Sequence, residues 1–220
     1  MIDFIEELTY LYHAVYNPGY FKDGNKGTKI SVEGLKIPIQ TEGIKHRENE
    51  PISFIFFAKN DQIFEEFLKK TGWYGGDPIT FSNSMRGAFC NLFNLPYPRF
   101  QLTPYFWNGK RQDYNIQEPT KNNTIRERHH SRLWKTNFKI RSGQKVYVGM
   151  ASFDIAMEKV FSHTIDPDID KEREYLFEKF KETKMIKKFK KISFSDKTKK
   201  DIFNGDYYFT DGKGYLIYLK

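Results

Sequence analysis

The stretch Arg128-His129-His130-Ser131-Arg132-Leu133-Trp134 concentrates side chains that could move protons and hold an anion. Histidine titrates near neutral pH, and the planar arginine fork suits phosphate or carboxylate. Asp154 and the run His163-Thr164-Ile165-Asp166-Pro167-Asp168-Ile169-Asp170 follow, so three of the five histidines lie in this part of the chain. The stretch from Arg128 has the character of a strand, on which alternate side chains share a face. His130 then goes with Arg128, Arg132 and Trp134, and His129 goes with Ser131 and Leu133. The two flanking arginines favour His130 as the proton-transfer group, with Asp154 or His163 to orient it. His129 takes that role if the opposite face lines the cleft. Arg128, Arg132 and Trp134 are the candidate substrate-binding residues. A purely structural role competes with this one, because paired strand histidines are often hydrogen-bonded supports and arginines can pair with acids.

Asp166 and Asp168 are candidate ligands for a hard divalent cation, the cofactor that Asp-x-Asp-x-Asp spacing would take. The segment is not an EF-hand, since Lys171 stands where the loop needs glycine and Phe177 where it needs a bidentate acid. Helix initiation explains the same acids: Asp166 caps, Pro167 opens the helix, and Asp168, Asp170 and Glu172 sit where the helix dipole favours negative charge. No phosphate-binding glycine loop, dinucleotide fingerprint, serine elbow or zinc-binding cysteine pair is present. These absences weaken ATPase, Rossmann oxidoreductase, esterase and zinc-finger readings.

The elements that must position these residues can be read from periodicity. Residues 2–15 carry an amphipathic helical pattern ending at Asn17-Pro18-Gly19. Ile52–Ala58 has the length and aromatic content of a buried central strand, followed by a helix capped at Asn60-Asp61. Ser82 would cap a second helix whose stripe of Met85, Ala88, Phe89, Leu92 and Phe93 is expected to face the core. Asn108-Gly109 signals a hairpin. Strands are expected over His129–Phe138, Val146–Phe153, near Ile192, Tyr207–Phe209 and Tyr215–Leu219, with a helix over Asp166–Glu182. The expectation is one α+β domain spanning 1–220, with a mostly antiparallel sheet and three to four helices.

Composition agrees with a folded chain. Of 220 residues 39% are hydrophobic, including 21 Phe and 14 Tyr, enough to offset chain ordering. The net charge of +8 is local, because residues 181–200 hold nine Lys against two acids. That stretch is either a solvated face or a contact for anionic lipid or phosphate. It lacks a nucleic-acid-binding motif, so sequence-specific nucleic acid is not an expected partner. A single cysteine, Cys90, and an N-terminus without signal-peptide character point to the cytoplasm, with peripheral membrane contact through the lysines.

Residues 50–180 resemble the LssY C-terminal domain family. The resemblance rests on an ordered set: Gly72-Trp73, Asp77-Pro78, Gly109-x-Arg111-Gln112-Asp113, Arg128-His129-His130-x-Arg132-x-Trp134, Phe153-Asp154, and His163-x-Ile165-Asp166-Pro167-Asp168-x-Asp170-x-Glu172-Arg173. It extends to Asp211-Gly212-Lys213. The resemblance implies no established reaction. Association of such domains with membrane phosphatases suggests lipid-phosphate chemistry. Two functions follow as expectations: a His/Asp-dependent hydrolase of a phosphate-bearing or related anionic substrate, or a non-catalytic module binding an anionic headgroup, a membrane surface or a protein partner.

Overall fold

Phe54-Ile55-Phe56-Phe57-Ala58 is an unbroken apolar run with no exposed position, and the main sheet is built around it. The computed structural model describes residues 28–42, 48–120, 125–157, 163–201 and 207–220. The helix expected over residues 2–15 lies outside them. In chain order the elements are β1 (Lys29–Val32), β2 (Leu35–Pro38), β3 (Gln40–Glu42), β4 (Glu48–Pro51), β5 (Phe54–Ala58), α1 (Asp61–Lys70), α2 (Phe81–Leu92), β6 (Phe106–Trp107), β7 (Lys110–Arg111), β8 (Tyr114–Pro119), β9 (Arg128–Lys139), β10 (Lys145–Met157), β11 (His163–Ile165), α3 (Ile169–Glu182), β12 (Ile186–Ser193), β13 (Thr198–Asp201), β14 (Tyr207–Thr210) and β15 (Lys213–Leu219).

The main sheet has seven strands in the order β12-β15-β5-β10-β9-β8, with β11 paired to β10. One face is covered by α1 and α3, where Phe64, Phe67, Leu176 and Phe180 pack on Phe54, Phe56 and Tyr215. On the other face Ile37, Ile39 and Trp107 pack on Phe57, Trp134, Val146 and Val148. They come from the β1–β2 hairpin and the small sheet β4-β3-β6-β7. Each fully buried side chain of this size contributes roughly 1.5–3 kcal/mol of transfer free energy, so both layers clamp β9 and β10 from opposite sides.

The expected mostly antiparallel sheet needs correction. β15 runs parallel to β5 at the centre, pairing Tyr215 with Phe54 and Ile217 with Phe56, so the sheet is mixed. Helices are few, with three among the described residues. Hairpin signals report only pairings between neighbours in sequence, and the β5–β15 pairing joins distant segments. Its trace is the near-continuous apolar run of β15, buried at every position after Lys213, as a strand covered on both faces requires.

The second helix also differs. Thr80, not Ser82, caps α2, accepting from the Asn83 amide at 3.2 Å. Its apolar stripe faces outward: Phe81, Met85, Phe89, Leu92 and Phe93 are all exposed, Phe81 by 84%. The buried positions are Gly87 and Cys90. Gly87 lies so near the Phe100 ring that a Cβ there would stand 2.1 Å from it. That close approach fixes which side of α2 faces inward, a constraint stronger than the helix's own amphipathicity.

Candidate functional site

β9 places its two histidines on opposite faces, as strand alternation requires. Arg128, His130 and Arg132 oppose Asp154, Ser152 and Met150 of β10, and His129 opposes Phe153. The structure therefore brings Arg128, His130, Arg132, Trp134 and Asp154 together beneath the small sheet. His129 goes to the α3 side.

The His130 face is closed. His130 is 1% exposed, and Arg128, Arg132 and Asp154 are buried with it. Arg128 Nε donates to Asp154 Oδ2 at 2.8 Å, while its Nη1 reaches the Phe100 carbonyl at 3.1 Å and Gln117 Oε1 at 2.9 Å. Arg132 Nε donates to the Thr103 carbonyl at 3.0 Å, and its guanidinium lies 3.8 Å from the Tyr105 ring centroid. Arg132 Nη1 donates to His130 Nε2 at 2.9 Å. Because arginine has no acceptor, Nε2 must accept, and the imidazole hydrogen sits on Nδ1, 3.6 Å from Asp154 Oδ2. His130 is thus a neutral spacer between Arg132 and Asp154. Trp134, fully buried, donates from Nε1 to the Lys110 carbonyl at 2.9 Å. The arginines thus spend donors on backbone carbonyls and a buried carboxylate. Glu50 joins the layer from β4, accepting from Ser152 Oγ at 2.7 Å, and burial pushes its carboxyl above the ordinary range despite Ser152 and Arg132. Burial likewise lowers the Arg128 pKa.

The His129 face is partly open. The imidazole is stacked between Tyr175, at 4.0 Å between centroids, and Phe153, at 4.5 Å, with Trp73 at 6.4 Å. Its Nδ1 stands 2.7 Å from Glu172 Oε2, and 21% of its side chain stays exposed against 3% for Glu172. Tyr175 donates to Glu118 Oε2 at 2.6 Å, and Lys179 approaches Glu118 at 3.9 Å. Burial, followed by the charges of Asp154, Glu118 and Asp166, raises Glu172 well above the carboxylate range. Burial lowers His129. Both shifts favour an uncharged pair in which one proton is shared along the 2.7 Å contact. A second Glu172 oxygen, Oε1, and the Trp73 indole Nε1 are buried without a hydrogen-bond partner among the described residues.

The remaining sequence candidates hold the helix start. Asp166 Oδ1 accepts from the Asp168 amide at 2.9 Å, and Lys171 lies 3.8 Å from Asp166 and 3.5 Å from Asp168. Asp168 occupies the N-cap position without a side-chain capping bond. Among the described residues no three His, Cys, Asp or Glu side chains converge as a metal site. The backbone of His163 pairs with Met157 in β11; its side chain lies outside the described set. Nearby, Arg173 is buried and binds Asp170 at 2.7 Å and Asp211 at 2.8 Å, tying α3 to the turn before β15.

Glu172, Tyr175, Trp73 and Glu50 are the site residues that pattern reading missed. Glu172 stood in the sequence as a dipole-favoured acid of the first helical turn, and its partner on β9 is 43 residues away. The model of the family described as LssY C-terminus matches residues 35–213. The chain belongs to that family. No curated protein and no solved structure matches the chain. The match takes in both histidine faces, α3 and the Arg173–Asp211 tie, beyond the 50–180 core on which the resemblance was strongest. No helix among the described residues is long and apolar enough to cross a membrane.

Proposed function

We propose that this LssY C-terminus chain is an acid–base hydrolase in which His129, oriented by Glu172, transfers the proton. The observation that carries this reading is the 2.7 Å contact between His129 Nδ1 and a buried carboxyl, on the one described β9 histidine that also reaches solvent. A base whose far nitrogen is held by a second group is the arrangement general-base catalysis uses. With Nδ1 hydrogen-bonded to Glu172, Nε2 takes a proton from an attacking water and returns it to the leaving oxygen. Tyr175, Phe153 and Trp73 form an aromatic slot that fixes the ring plane.

Phosphate-bearing substrates are the first to test. Lys179 is close enough to oppose protonation of His129, and it offers a cation for an anionic group at this face. Arg128 and Arg132 act instead as supports for β9, since their donors serve Phe100, Thr103, Gln117 and Asp154. The test is a screen of phosphomonoesters and phosphodiesters with the intact chain, followed by His129→Ala. Turnover lost in a folded variant supports the assignment; unchanged turnover removes it. No turnover on any substrate favours a binding module, for which the lysine-rich strand β12 supplies the supporting observation.

A further inference from the structure

β12 forms one edge of the seven-stranded sheet and is eight residues long, above the usual strand length of about five to six. Five consecutive positions, Lys187 to Lys191, are exposed, and among the described residues no strand pairs with the outer side of β12. Such an edge is a template for another strand. Its composition is one-sided: Ile186-Lys187-Lys188-Phe189-Lys190-Lys191-Ile192-Ser193 contains four lysines and no acid.

The lysines lie on both faces. Lys188 and Lys190 pair with Tyr218 and Leu216, whose side chains belong to the core under the small sheet; Phe189 and Lys191 pair with Ile217 and Tyr215 on the helix side. A groove of about 510 Å³ runs along the first face, lined by Glu33, Lys188, Lys190, Ile192, Leu216 and Tyr218 among others. A second, of about 410 Å³, lies between Lys181, Ile186, Lys187 and Phe189. Lys191 is held by Glu174 at 2.8 Å and Lys188 lies over the Tyr218 ring, whereas Lys187 and Lys190 have no carboxylate in ion-pair range among the described residues. Phe189 remains half exposed although its ring meets Phe177 and Tyr215 edge-on.

Edge lysines commonly prevent strands from pairing with copies of themselves. Here two copies of β12 would set four lysines against four, so self-pairing is opposed. The same charges attract a strand of opposite sign. We propose that β12 accepts an extended acidic segment of a partner protein as an added strand. The partner's backbone would complete the ladder, alternate carboxylates would meet Lys188 and Lys190 on one face, and an apolar residue would rest on Phe189 on the other. Recognition of this kind draws affinity from main-chain bonds and specificity from alternate side chains. It is independent of His129 and stands whether or not the chain turns over a substrate.

The test uses the intact chain and a labelled peptide in which Glu alternates with Val, read by fluorescence polarisation. Binding is expected at low ionic strength and should weaken as salt screens the lysines. Blocking alternate peptide amides by N-methylation should weaken it on the order of tenfold, since main-chain bonds supply the affinity. Lys188→Glu with Lys190→Glu, both exposed and checked for folding by circular dichroism, should weaken it by a similar factor or more. Absence of binding at low salt overturns the proposal. So does equal binding of the N-methylated peptide, which would mean charge alone, or equal binding by the double variant, which would mean another site. Capture of phosphatidylserine vesicles without peptide binding would assign the lysines to a lipid surface and overturn it too.

Discussion

The two faces of β9 hold neighbouring histidines in opposite conditions. His130 sits in a closed layer where Asp154 answers the charge of Arg128 and burial pushes Glu50 towards its neutral form. His129 sits in an aromatic slot with a single buried carboxyl and a route to solvent. Buried ion pairs hold a structure by the penalty of breaking them, whereas a partly exposed histidine with one oriented nitrogen has a proton to exchange. The arginine-rich face looks chemical in sequence and is closed in space. The quieter face holds the partly exposed contact between His129 and Glu172.

Breaking the closed layer should give the largest effect. Asp154→Ala leaves the Arg128 guanidinium fully buried beside Arg132, and loss of one partner of such a pair costs about 3–5 kcal/mol. Removing both charges, Arg128→Met with Asp154→Leu, should restore much of that. Urea unfolding of the singles and the double measures it. A mild loss in the single Asp154 variant would show that the layer admits water and that the contrast between faces is smaller than argued.

Next in size is the contrast between the histidines. In folded protein, His129→Ala should lower turnover by about 10²–10⁴, the usual contribution of a positioned general base. His130→Ala should leave turnover per folded molecule near the parent value while lowering stability by about 2 kcal/mol, since a buried donor and acceptor lose their partner. Steady-state rates with the substrate found by screening, beside melting curves, separate the two. The reverse pattern would return the chemistry to His130.

The pH profile sharpens the same comparison. The uncharged His129–Glu172 pair must give up a proton before Nε2 can act as base, so activity should rise with pH through the pair's titration. Glu172→Gln removes the shared proton and leaves an amide that can donate to Nδ1. It should lower kcat with less change in KM and displace the rising limb, whereas Glu50→Gln should leave that limb in place. Superimposable profiles for the parent and Glu172→Gln would deny Glu172 its orienting role.

Local pattern made much of this legible. Strand alternation separated His129 from His130, Asn60 does cap α1 with a 2.9 Å bond to the Ile63 amide, and Asn108-Gly109 does make the β6–β7 turn with both residues at positive φ. What escaped depends on distant segments. The β5–β15 pairing, the inward side of α2 set by Phe100, and the meeting of Glu172 with His129 are each decided by packing between elements far apart in sequence. Nor could residue type distinguish an arginine aimed at a ligand from one aimed at the Phe100 or Thr103 carbonyl.

The smallest effect concerns Glu50, the acid that β4 contributes to the closed face. Its carboxyl is raised by burial, with Asp154 adding to the shift and Ser152 and Arg132 opposing it. A carboxyl whose folded value is raised stabilises the fold fully below the ordinary carboxylate range and loses that contribution as pH rises through the raised value. Glu50→Gln keeps an oxygen to accept from Ser152 Oγ and has no charge to desolvate. The variant should match the parent at about pH 5 and exceed it by about 1 kcal/mol at about pH 8, within the range set by burying an imperfectly compensated polar group. Unfolding free energies at the two pH values decide this. A variant that is weaker at the higher pH would mean that Arg132 holds Glu50 as a carboxylate, adding a fourth charge to the closed layer around His130.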